Sequence, residues 1–309
     1  ALLSPASSVG LLRMLCEIQY LGNAFGTWLA ITSIMGIITM ILSGLIFHRY
    51  YVRPTYEQWR FKSNPKYPSP GMVKSEIVQM WKGMATATML PTLSLYLAQQ
   101  GLSQAYCGWS PYGAWYHVFE FMVVWIGSDF YEFYYHRLGH TTDNGWKQHK
   151  HHHFFYNPSP FAVIADEYID QFVRSAPLAI LPIIMPMNID LMLLEFGIFF
   201  YGYGVYLHWG YELAWPNAHT PIINTAFQHY CHHAISIKNR PLHTGFFFKL
   251  WDDMFGSVYT GKCFCAKCAQ ERGERTQEEF AKIEKPDYSV LLQPSFWYHR
   301  SFTPDIKAQ

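Results

Sequence analysis

Between Phe25 and Phe47 the chain reads FGTWLAITSIMGIITMILSGLIF, 23 residues without a charge. At about 1.5 Å of rise per residue, a helix of that length crosses a hydrocarbon layer of about 30 Å. The stretch predicts a membrane helix, and hence a fold whose backbone hydrogen bonds close within helices. Composition agrees: 50% of residues are hydrophobic, 18% aromatic and only 15% charged, against roughly 25% charged in an ordinary soluble domain. A net charge of +1 leaves no basic excess to hold phosphate backbones, so nucleic acid is not an expected partner.

Weaker spans follow. Ile77 to Leu97 is apolar apart from Lys82 and contains Pro91, and Trp115 to Tyr135 carries Asp129 and Glu132 toward its end. A long apolar tract from Phe172 to Leu207 is broken by PIIMPMNID, which predicts a helical hairpin turning near Pro186 and Asn188. Lys and Arg are retained on the cytoplasmic side. The segment joining the first two spans holds Arg49, Arg53, Arg60, Lys62, Lys66 and Lys74, whereas QQGLSQAYCGWSPYGA between the second and third holds no charge. The first loop is therefore expected in the cytoplasm, with the stretch after Tyr135 and everything after His208 on the same face. The expected fold class is all-α: an integral membrane bundle of about four to five helices under a cytoplasmic, histidine-rich helical cap that holds two metals. The expected domains are membrane spans over 1–134, a catalytic core over 135–260 that includes the hairpin, and a cytoplasmic extension over 261–309 with one short helix near TQEEFAKIE.

Six cysteines, three of them in CFCAKC, do not form a disulfide framework and read as reduced thiols. Cys263, Cys265 and Cys268 could hold zinc, but no fourth ligand stands at a familiar spacing, and the plainer reading is a cytosolic loop. The start ALLSPASSVG lacks a basic region, a compact apolar stretch and a cleavage site, so it does not read as a secretory signal.

Fifteen histidines are present, and 12 lie between His136 and His243. They gather as HRLGH (His136, His140), HKHHH (His149, His151, His152, His153) and HYCHH (His229, His232, His233). On a helix, positions i, i+3 and i+4 share a face, so each group projects imidazoles toward one point. A lone histidine is usually a satisfied core or helix-end residue, which is the reading for His48, His117 and His299. Eight grouped imidazoles buried without a partner would cost about 1–3 kcal/mol for each unpaired group, and metal ions remove that cost. Eight nitrogens exceed one tetrahedral zinc and argue for two metals; ligand type alone does not separate iron, zinc, copper and nickel. His208, closing the last apolar arm in LHWGYE, is a further ligand candidate. Glu212, four residues on, is the catalytic candidate, either as a ligand or by accepting an imidazole N–H. His151 is expected to point away from its neighbours, and His219, His243, Asp166 and Glu167 are left between surface and site.

The ordered boxes His-x3-His, His-x2-His-His and His-x2-His-His, interleaved with apolar spans from about Tyr135 to Thr260, resemble the fatty acid hydroxylase and sterol desaturase superfamily. HKHHHFFYNPSPFAVIADEYID is similar to the sterol carbon-5 desaturase stretch, through Pro158, Ser159, Pro160, Phe161, Ala162 and Asp170. FKLWDDMFGSVY resembles the signature closing the family core, through Trp251, Asp252 and Gly256. Val163 to Tyr168 replace that subgroup's histidines, ADEY resembles sterol carbon-4 methyl oxidases, and the gap from HYCHH to LWDD is similar to alkylglycerol monooxygenases. The resemblance implies two irons held by histidines outside the membrane, with zinc able to replace iron in a purified sample. It also implies dioxygen as oxidant and electrons from NAD(P)H through cytochrome b5 or a reductase. The implied activity is desaturation or hydroxylation of a sterol or related isoprenoid lipid in the endoplasmic reticulum membrane. Rival readings are a hydroxylase or epoxidase of squalene, a fatty chain or an ether lipid, and, from another class, a non-redox zinc-binding membrane protein.

Overall fold

The computed structural model describes residues 23–298; the readings made for the first ten residues, for Cys16 and for His299 fall outside them. Helix α1 (Ala24–Phe47) starts where Asn23 accepts the N–H of Gly26 at 2.6 Å, and it continues as a π-helical turn over His48–Val52. Its exposed residues are the large apolar ones, including Phe25, Leu29, Ile38, Ile41 and Leu45, while Thr27, Thr32, Gly36, Thr39 and Ser43 face inward. That is the inverse of a soluble amphipathic helix and suits an apolar solvent, with small residues at the helix contacts. At Gly36 a Cβ would run into the ring of Trp81. The combined run Ala24–Val52 and a second run, Ile189–His208, are the two helices among the described residues long and apolar enough to cross a membrane.

The second expected span differs. It is two helices, α2 (Pro70–Ala87) and α3 (Met89–Gln99), meeting at Thr88. The reason is Pro91, which has no N–H to offer the Ala87 carbonyl. The third is longer than expected: α4 (Ala114–Met122), a π-turn over Val123–Gly127, and α5 (Ser128–Thr141), which carries the first histidine pair past the apolar stretch. After α6 (Asp143–His149) and α7 (Tyr168–Arg174), the hairpin is α8 (Pro177–Ile184), a turn, then α9 (Ile189–Glu195), a π-helical segment and α10 (Tyr203–His208). Helix α11 (Ala226–Ile235) follows.

The chain is mostly helical. A single two-residue pairing departs from this among the described residues: Ala105–Tyr106 runs parallel to Met187–Asn188. Asn188 secures it, donating its N–H to Glu120 Oε1 at 2.8 Å and its Nδ2 to the Gly108 carbonyl at 2.6 Å. The turn of the hairpin thus lies beside the uncharged segment between the second and third spans. Cys107 in that segment is disulfide-bonded, which corrects the expectation of uniformly reduced thiols; Cys231, Cys263, Cys265 and Cys268 are free.

The largest core gathers Phe47, Tyr51, Trp59, Met80, Met84, Phe161 and Tyr211, with Tyr288 from the tail. Tyr288 lies edge-on to Phe47 at 4.8 Å and bonds the Pro68 carbonyl at 2.7 Å. The tail is therefore packed against the body, with helical segments at Ala266–Glu271, Gln277–Lys282, Tyr288–Leu292 and Pro294–Tyr298 rather than one short helix.

Candidate metal centre

Nine histidines converge at the end of the bundle in two adjoining groups. His136, His140, His149, His153 and His232 form one, and His152, His208, His229 and His233 the other. Within each group a nitrogen from every ring lies within 4.8 Å of all the others. The groups cut across the sequence motifs. The second motif is not one helix: α6 ends at His149, Lys150 and His151 turn the chain, and His152–Phe154 form a separate 3-10 turn. His149 and His153 consequently go to one centre and His152 to the other. On α11, His229 and His233 are one helical turn apart and share a centre, while His232, on the neighbouring stripe, reaches its counterpart.

The outer ring nitrogens show what the inner ones can do. His136 Nδ1 donates to the Thr244 carbonyl at 3.0 Å, His140 Nδ1 to Ile237 at 3.2 Å, His208 Nδ1 to Gly204 at 2.8 Å and His232 Nδ1 to Leu242 at 2.7 Å. A carbonyl only accepts, so these four Nδ1 atoms carry the proton and their Nε2 atoms present bare lone pairs. His149 Nδ1 lies 3.1 Å from Asp170 Oδ2, and His152 Nδ1 3.1 Å from Asp166 Oδ1. Yet His136 Nε2 and His232 Nε2 sit 2.9 Å apart, and His229 Nε2 and His208 Nε2 2.8 Å. Burial holds the imidazoles neutral, pushing His140 and His152 down to about 4 and His149, His232 and His233 well below their ordinary value. Bare lone pairs facing one another repel, and a shared cation turns that repulsion into coordination. The donor set fits two metal ions, each with four or five imidazoles and ring orientation fixed from behind.

The supporting residues come from the other motifs. Asp252, fully buried, accepts the N–H groups of Thr244 and Gly245 at 2.9 Å each and the hydroxyl of Ser257 at 2.6 Å, so it fixes the carbonyl that orients His136. Asp129 at the start of α5 accepts the N–H of Phe247 at 2.6 Å and Trp251 Nε1 at 2.7 Å, tying that loop to the helix bearing His136 and His140. In the PSPFA turn, the Pro160 carbonyl accepts Ser43 of α1 at 3.0 Å, and Ser159 binds Glu76 of α2. This turn delivers Ala165 and Asp166 to His152.

Other sequence candidates fall elsewhere. Glu212 is not brought to the histidines; its Oε1 accepts the N–H of Ala266 at 2.9 Å. His151 points outward and lies 3.4 Å from Glu167. His243 is buried and accepts the N–H of Tyr259 at 3.2 Å. His219 approaches the three cysteines of CFCAKC. The orienting carbonyls of Ile237, Leu242 and Thr244 carry no sequence signal, since any residue supplies one.

A narrow cleft opens onto both groups. His136, His152, His208 and His229 form its floor, Leu178, Phe196, Phe200 and Phe246 its apolar walls, and Glu132 and Arg174 meet as an ion pair at its side.

A helical chain that focuses two imidazole centres at the mouth of an apolar cleft, beneath outward-facing apolar helices, is by fold and site a histidine-box membrane protein. Its histidine-bearing segment is similar to the fatty acid hydroxylase family. The sequence profile of the fatty acid hydroxylase family matches residues 121–257. A Delta(7)-sterol 5(6)-desaturase of Gibberella zeae is 28% identical over 258 residues, covering 82% of this chain and 69% of that protein. Another of that name from Aspergillus fumigatus is 28% identical over 238 residues, covering 75% and 62%. Human lathosterol oxidase is 30% identical over 179 residues, 57% of this chain and 58% of the human one. The chain thus spans about three fifths to two thirds of these relatives. No solved structure matches it significantly.

Proposed function

We propose that the chain is a membrane oxidoreductase that uses dioxygen and two irons, held by His136, His140, His149, His152, His153, His208, His229, His232 and His233, to desaturate or hydroxylate a sterol or related isoprenoid lipid. The observation that carries this is the convergence of nine imidazoles in two groups, with the bare Nε2 atoms of His136 and His232 2.9 Å apart, onto an apolar-walled cleft. A structural metal site would be closed, whereas these open onto a cleft walled by Leu178, Phe196, Phe200 and Phe246. The names of the relatives support the sterol class.

When bound, iron at such a centre supplies dioxygen activation and one-electron redox chemistry. The chain's own residues do the rest. The carbonyls and Asp170 hold the ring protons on Nδ1, keeping the inward nitrogens free to coordinate. Leu178, Phe196, Phe200 and Phe246 admit and orient an apolar substrate and exclude water from the reacting carbon. The Glu132 and Arg174 pair, with Asp166, Gln171 and Ser175, offers a polar side to the cleft, suited to a hydroxyl on an otherwise apolar ligand. Electrons come from a separate partner, cytochrome b5 or a reductase fed by NAD(P)H.

The proposed setting is the endoplasmic reticulum membrane, crossed about five times with the histidines toward the cytoplasm. The hairpin turn pairs with the segment containing disulfide-bonded Cys107, and a disulfide belongs on the oxidising side. The histidines occupy the opposite, Arg- and Lys-rich end.

The test is a sterol and lipid profile, by mass spectrometry, of cells expressing the intact chain beside cells expressing a His152→Ala, His232→Ala variant. A sterol gaining a ring double bond or an oxygen only with the intact chain is the expected result. Identical profiles with iron shown to be loaded would overturn the sterol assignment.

A further inference from the structure

Away from the histidine centre, the structure brings together four side chains that the proposed oxidation does not use. His219 lies in the loop after α10, and Cys263, Cys265 and Cys268 lie at the start of the segment Ala266–Glu271, 44 or more residues later. His219 Nε2 is 4.0 Å from Cys263 Sγ, 3.5 Å from Cys265 Sγ and 3.3 Å from Cys268 Sγ. All four donor atoms lie within 4.8 Å of one another, and the three thiols are free. A tetrahedral zinc, with Zn–S of about 2.3 Å and Zn–N of about 2.0 Å, sets its donors roughly 3.5–3.8 Å apart. The observed nitrogen-to-sulfur separations bracket that range.

We propose that His219, Cys263, Cys265 and Cys268 bind one structural zinc ion that fastens the C-terminal segment to the helix carrying HYCHH. Three thiolates and one imidazole form a closed, soft donor set, which selects zinc over the iron favoured by an all-imidazole, open site. Two further features point the same way. Cys265 is fully buried and accepts the N–H of Cys268 at 3.4 Å, a bond that stabilises a sulfur bearing negative charge. The His219 loop is also built rather than loose. Asn217 Oδ1 accepts the N–H of His219 at 2.9 Å, and the neighbouring Ala218 carbonyl accepts Gln228 Nε2 at 2.6 Å. Gln228 belongs to the capping box that starts α11.

The geometry gives the ion a task. Phe264, between two of the cysteines, packs on Phe227 at 5.0 Å and Tyr230 at 6.1 Å, both on α11. The N–H of Ala266 reaches Glu212. The thiolate segment therefore clasps the outer face of α11, whose inner face presents His229, His232 and His233. Zinc closes this clasp and holds the helix in register.

The experiment uses the full chain, purified in detergent with iron loaded, and measures zinc and iron by mass spectrometry together with zinc-edge X-ray absorption. About one zinc per chain with a sulfur-dominated shell is expected. Cys263→Ser with Cys268→Ser loses that zinc and the sulfur shell, Cys231→Ala keeps both, and His219→Cys retains zinc through four thiolates. If the double variant does not fold, cobalt exchange on the unaltered chain replaces it; thiolate-to-cobalt charge-transfer absorption is expected, and its absence counts against the site. A zinc shell of nitrogen and oxygen alone, zinc surviving the double substitution, or three titratable reduced thiols in zinc-free protein would each overturn the proposal.

Discussion

Asp170 faces two ways: it takes the ring proton of His149 and lies 3.6 Å from Arg174 Nε. Replacing it by Asn keeps the volume and removes the charge that favours a coordinating His149. Asp170→Asn is expected to weaken metal binding about 10- to 100-fold, read by metal retained against a chelator. Glu212→Gln, whose amide oxygen still accepts from Ala266, should leave that retention unchanged. Lys62 yields a pH prediction. It is fully buried, ringed by Tyr51, Tyr67 and Tyr211, and burial, followed by the charge of Arg275, holds its amine down to about 7. The unfolded chain keeps that proton up to about 10.5. Between those values the unfolded state binds more protons, so this residue makes stability rise with pH, by at most about 1.4 kcal/mol per unit. Lys62→Met should flatten that slope in thermal midpoints taken from pH 7 upward, and an unchanged slope would contradict the assignment. At this scale the histidines were legible because their spacing is a chemical pattern. Asp252 was legible only as part of a resemblance, and His219 hardly at all, because its partners lie more than 40 residues away.

At the level of elements, sequence periodicity located α1, the hairpin and the box-bearing helices, and it failed where geometry turns on one residue. Pro91 divides the second span, and the turn at Lys150 splits HKHHH between two centres, which no helical projection of the motif anticipates. The close seat of the 3-10 turn Pro160–Ile164 on α2 was equally hidden. A Cβ at Gly83 would collide with the backbone oxygen of Ile164, so α2 can approach only through glycine. Gly83→Leu is expected to displace this turn, and with it Ala165 and Asp166, lowering both the thermal midpoint and the metal retained. Gly44→Leu is the matched control on α1: a Cβ there meets nothing within 4 Å, and both readings should stay at the unaltered values. Equal damage from the two substitutions would refute the contact as the cause.

For the whole molecule, the proposed orientation rests on charge distribution and covalent chemistry. Arg49, Arg53, Arg60, Lys62, Lys66 and Lys74 mark the end that holds the histidines, and Asn157 Nδ2 bonds the Lys66 carbonyl at 2.9 Å, joining that segment to the loop just after HKHHH. At the other end, the uncharged segment with disulfide-bonded Cys107 pairs with the hairpin turn. Apolar length alone does not distinguish arms that cross from arms that only re-enter; the pairing of Ala105 with Met187 sets the hairpin turn beside the uncharged segment. Glycosylation offers a direct reading, since acceptor sites are modified only on the lumenal side. An Asn-x-Thr site placed near Gly101, whose surroundings are open, should be glycosylated in microsomes, whereas one near Glu57 on the basic segment should not. The reverse pattern would put the histidines in the lumen, away from any cytoplasmic electron donor, and would overturn the proposed orientation together with the proposed reductase partnership that depends on it.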